Sequence, residues 1–114
     1  MKEKAMREAI LAQLGALRAD AGVELVACKD EGVGDYLTGK ADALAVAMQM
    51  VEAKALIETM VSFLQEEVTR NMNMAESARL CSKDTMARLR EGAAAGYMAA
   101  QRVVTEIKEM NKHE

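Results

Sequence analysis

The sequence predicts an all-α protein, a long antiparallel helical hairpin plus a shorter N-terminal helix, assembling as a dimeric helical bundle. Three observations carry this reading. The chain contains no proline, the strongest helix breaker, so helices can run on uninterrupted. Apolar residues recur at helical spacing along most of its length. The one stretch of β-like composition, Val23-Glu24-Leu25-Val26, has no second strand candidate to pair with, and one strand makes no sheet. A chain of 114 residues is long enough for one core, and a single domain over 1–114 is expected.

The first helix is expected over residues 2–20, where Met6, Ile10, Leu14 and Leu17 form an apolar row widened by Ala9 and Leu11. Gly22 suits the left-handed conformation that closes helices, and Arg18 favours the negative end of the dipole. Residues 22–39 then read as a glycine-rich connector in which VELVAC, residues 23–28, forms a short helix or extended segment.

A second helix is expected over 40–70. Leu44, Met48, Val51 and Ala55 lie on one row; Ile57, Met60, Val61, Leu64 and Val68 lie on a row that drifts around the axis. Asn71 and Asn73 read as a break, and Asn73 with Glu76 has the spacing of a capping box that opens a third helix over 74–111. In that helix Met86, Leu89, Ala93, Gly96, Ala100, Val103, Ile107 and Met110 alternate steps of three and four, the heptad seam of a packed pair. Its middle is small, so a partner helix can approach closely at Gly92 and Gly96. Helices of this length would be about 45 and 57 Å long at 1.5 Å per residue. A compact domain of this size has a radius of gyration of only about 13 to 14 Å, so the seam is expected to hold two copies together.

The motif closest to chemistry is Gly34-Asp-Tyr-Leu-Thr-Gly39-Lys40-Ala41, a phosphate-loop pattern lacking only its terminal hydroxyl residue. Glycines free backbone N–H groups to face phosphate and the lysine reaches the outer oxygens, but Ala41 removes the magnesium ligand. Without a sheet around it, the loop 32–42 is at most an anion or nucleotide site without hydrolysis, using Gly34, Tyr36, Gly39 and Lys40. The plainer reading makes Gly32, Gly34 and Gly39 turn residues and Thr38 a helix cap.

Other chemistry is disfavoured. The sole histidine, His113, is penultimate; the acidic residues near Asp30 miss calcium-loop spacing; and the pairs Glu66/Glu67 and Glu106/Glu109 read as solvated faces. Neither catalysis nor a cofactor or metal is expected. Arg79, Lys83, Arg88 and Arg90 form a basic stretch, but acidic residues interrupt it and the net charge is −3, so nucleic-acid binding is only a lesser alternative. Cys28 and Cys81 read as reduced thiols serving as small apolar residues, Tyr97 as a packing residue. No run is apolar enough to span a membrane and no export signal is expected at the N-terminus, where charged residues interrupt the apolar segment; a cytoplasmic location follows. Ten methionines against three aromatics give a surface able to repack against differing partners. The expected function is therefore a non-enzymatic regulatory protein, of a size common in phages and mobile elements, that pairs with itself and docks on a larger protein.

Overall fold

The computed structural model describes residues 2–113 as a helical bundle of four helices, α1 (Glu3–Ala27), α2 (Glu31–Glu52), α3 (Ile57–Leu80) and α4 (Asp84–Lys112), with no strand among them. Short turns reverse the chain three times, so α1 and α3 run against α2 and α4. Ile10, Leu14, Leu44, Met60, Leu64 and Ile107 lie at the centre of the core.

The all-α expectation holds, and the helix boundaries differ from it at four places. Gly22 does not close α1, which runs on through VELVA to Ala27. The connector 22–39 is mostly helix, because Asp30 rather than Thr38 is the cap: its Oδ1 accepts a bond from the Val33 N–H at 2.9 Å. Thr38 instead donates from Oγ1 to the Gly34 carbonyl within the helix.

The expected helix 40–70 is two helices. The drifting apolar row is the trace of a break: α2 ends at Glu52 and α3 starts at Ile57 on a new phase. The expected break at Asn71 and Asn73, by contrast, lies inside α3, and the chain turns at residues 81–83. Both turns use the same device. Lys54 and Ser82 take left-handed backbone angles, with φ of 61° and 59°. The N–H groups of Lys54 and Ala55 then bond the Val51 and Met50 carbonyls, and those of Ser82 and Lys83 bond the Arg79 and Ala78 carbonyls. These are the paired bonds of the Schellman motif, made without the glycine that usually signals it.

The glycines serve another purpose. Pairs of touching residues rise together along α2 and α4, Tyr36 with Gly92 and Lys40 with Gly96, so these two helices are parallel neighbours. A β-carbon at Gly39 would collide with the Leu89 carbonyl, and one at Gly92 with the Tyr36 carbonyl. At Gly96 it would lie 2.6 Å from the Lys40 carbonyl oxygen. Ala43, Ala47 and Ala100 continue the small-residue line at full burial, so the two backbones approach as in small-xxx-small helix pairs. α1 packs on α2 and α4, while α3 packs chiefly on α4.

The expected seam is thus largely occupied within the chain. Gly96, Ala100, Val103 and Ile107 are buried, and Leu89 and Ala93 lie against Gly39 of α2, whereas Met86 and Met110 are exposed. The length argument for a dimer also lapses. Split at residues 53–56, the helices fit a body of 49 × 29 × 23 Å without outrunning their own core.

Glycine substitutions separate close approach from mere permissiveness. Gly92→Ala should destabilise by about 3 kcal/mol, since a whole helix must shift. Gly22→Ala, with nothing within 4 Å of the added carbon, should stabilise by about 0.5–1 kcal/mol. Urea unfolding measures both. Lys54→Gly and Ser82→Gly should each raise stability by about 1 kcal/mol by relieving the left-handed turn residue, and equal or lower denaturation midpoints would contradict the cap assignment.

Candidate functional site

The phosphate-loop resemblance does not survive folding. Gly34, Tyr36, Gly39 and Lys40 all lie on α2, and the Gly34 N–H is spent on the Asp30 carbonyl at 2.9 Å. Gly39 is buried against α4, and the Lys40 and Tyr36 carbonyls face Gly96 and Gly92. A cradle needs free N–H groups converging on one point, and a continuous helix directs them along its own axis into its own carbonyls. The spacing of the glycines records helix packing.

The structure instead forms a groove along α3 and α4. Its larger part is a cavity of about 810 Å³ flanked by Met74 and Met86, with Ala78 and Cys81 among its lining residues. Its charged residues are Arg70, Lys83 and Arg90 against Glu66. A second hollow of about 310 Å³ adjoins it between α2, α3 and α4, and the two share Arg70, Met86 and Arg90. The groove follows from the packing order: α2 and α3 both rest on α4, and a hollow is left between them over α4.

Polar residues gather in the smaller hollow. Glu67 lies on the buried row of α3, and its carboxylate accepts a bond from Arg70 at 2.5 Å. The Asn71 amide nitrogen donates to the Glu67 carbonyl at 2.8 Å, while its oxygen accepts a bond from Arg90 at 3.3 Å. Tyr97 is 8% exposed beside them. Burial pushes its phenol pKa up, and the negative charge of Glu67 adds to the shift against the opposing guanidiniums of Arg70 and Arg90. Asp42 completes the lining.

These residues correct two sequence expectations. Glu67 is not on a solvated face, and Asn71 is not a turn residue but 2% exposed in mid-helix. The signal that locates them is phase: Leu64, Val68 and Ala75 set the buried row of α3, and residues 67 and 71 fall in step with it. Methionine is divided between core and surface. Met6 and Met60 are in the core, but Met72, Met74, Met86, Met98 and Met110 are exposed. Cys81 is likewise exposed rather than a small apolar core residue.

The basic stretch is partly neutralised in place. Arg88 pairs with Asp35 at 3.1 Å, and Arg79 pairs with Glu91. Among the described residues no group of three or more metal-ligand side chains occurs, and no helix is long and apolar enough to cross a membrane. No protein-family model, curated protein or solved structure matches the chain.

Tyr97 gives a pH test of the hollow. Folding raises its pKa, so the stability gained by keeping the phenol neutral is fully present below about pH 10, the unfolded value, and is lost as pH rises through the folded pKa. The urea midpoint should fall above about pH 10, and Tyr97→Phe should remove part of that fall. A Tyr97→Phe protein with an unchanged alkaline slope would contradict it.

Proposed function

We propose that this chain is a small non-enzymatic docking protein that receives an amphipathic, acid-bearing helical segment of a larger protein in its α3–α4 groove. One observation carries the proposal: an apolar groove of about 810 Å³ runs between two exposed methionines under an excess of positive charge, on a chain whose net charge is −3. Methionine side chains are unbranched and polarizable, so they fit apolar partners of differing shape. A partner helix lays its apolar row into such a groove, and acidic residues at its flank meet Arg70, Lys83 and Arg90.

Arg70 and Arg90 suit this role because each has donors to spare. A guanidinium carries five N–H groups, whereas Arg70 is engaged by Glu67 and Arg90 by Asn71. Rim charges of this kind steer the encounter and set orientation, while the apolar floor supplies most of the affinity.

A displayed library of helical peptides selected on the immobilised protein tests the proposal. Enriched sequences should carry apolar residues at i, i+3, i+4 and i+7 with Asp or Glu beside them. Their affinity should fall roughly tenfold or more with Met86→Lys and weaken as salt rises. Binders indifferent to Met86→Lys, or a selection that yields none, would overturn the groove as the docking site.

A further inference from the structure

The segment VELVA has the chemistry that the groove fits. Val23 and Val26, 70% and 89% exposed, lie three residues apart on the outer face of the last turns of α1. The exposed charges near them are mostly acidic, Asp20, Glu24, Asp30 and Glu31 against Arg18 and Lys29, so this corner of the molecule is apolar with a net acidic surround. The α3–α4 groove is apolar with a basic rim.

The two surfaces lie on different sides of the same end of the bundle. The turn at residues 28–30 joins α1 to α2, the turn at 81–83 joins α3 to α4, and the Arg88–Asp35 pair ties the second turns of α2 and α4 together there. Most of the large exposed apolar side chains gather toward this end, among them Val23, Val26, Val33, Met74, Leu80 and Met86. Leu56 and Met110 are at the other.

We infer that a second copy of this chain occupies the groove: the Val23–Val26 corner of one protomer docks between Met74 and Met86 of its partner, and the exchange is reciprocal. Corner and groove share an end, as a reciprocal exchange about one two-fold axis beside that end requires. Charge fixes the pairing, since corner on corner and groove on groove would set like charges together. This assembly rests on the chemistry of the proposed docking groove and adds a consequence: dimerisation covers the groove, so self-association and capture of a partner segment exclude each other.

Sedimentation velocity on the full chain, from micromolar to millimolar concentration, tests this. The wild type should pass from 12.4 kDa toward twice that mass. Val26→Lys and Met86→Lys each place a charge on an already exposed side chain, so both variants should keep their circular dichroism and thermal midpoint while dimerisation weakens roughly tenfold or more. Mixing the two variants should recover part of the dimer, because one corner and one groove remain intact in the mixed pair. Glu24→Lys should weaken the dimer, and Lys83→Glu in the same chain should restore it. A wild type that stays at 12.4 kDa throughout overturns the inference and leaves the peptide selection to judge the groove by itself. A dimer insensitive to both Val26→Lys and Met86→Lys also overturns it, by placing the interface elsewhere.

Discussion

Backbone lies against backbone where α2 meets α4, and the rest of the bundle is arranged around that line. Gly39, Gly92 and Gly96 leave no room for a β-carbon between the helices, so the two axes approach more closely than side chains would permit. Each glycine weakens a helix interior by about 1 kcal/mol relative to alanine, a cost offset by the tight packing along the line. Parallel contact between alternate helices flattens the four-helix arrangement. α1 then settles against both central helices, whereas α3 rests chiefly on α4, and the hollow between α2 and α3 is left open.

That hollow explains where polar chemistry sits in an otherwise plain molecule. A helix buried on one side and open on the next can hold a carboxylate and an amide near the core, because guanidiniums reach them from the solvent side. Glu67 and Asn71 occupy such positions, with Arg70 and Arg90 as their partners. Removing either arginine leaves a buried acceptor short of a donor, which costs more than an exposed ion pair would. The same arginines line the adjoining apolar cavity, so the cluster that orders α3 on α4 also charges the rim of the groove.

How much of this was legible depended on whether the signal was local. The helical periodicity of Met6, Ile10 and Leu14 was visible because each residue meets its neighbour one turn away. Glycine misled because its usual signal is local. Gly32, Gly34 and Gly39 looked like a loop because glycine favours turns, yet they sit in a helix, and Gly39 is there for a surface 50 residues further on. The real turns carry Lys54 and Ser82, residue types that give no warning of a left-handed backbone. Asn71 was hidden by an assumed break at that residue, and Glu67 by its pairing with exposed Glu66, although Leu64 and Val68 set the buried row it shares.

Composition and periodicity by themselves determined that the chain is helical, because absent proline and 3.6-residue spacing act within each segment whatever surrounds it. They also marked α4 as a packing helix with a small-residue middle. Only the tertiary structure decided what packs there, since a row of small residues states that a backbone comes close without saying whose. It decided likewise that GDYLTGKADAL is a helix face against α4 and not a phosphate loop. The conformation of a glycine is chosen by what stands opposite it, and that residue lies elsewhere in the chain.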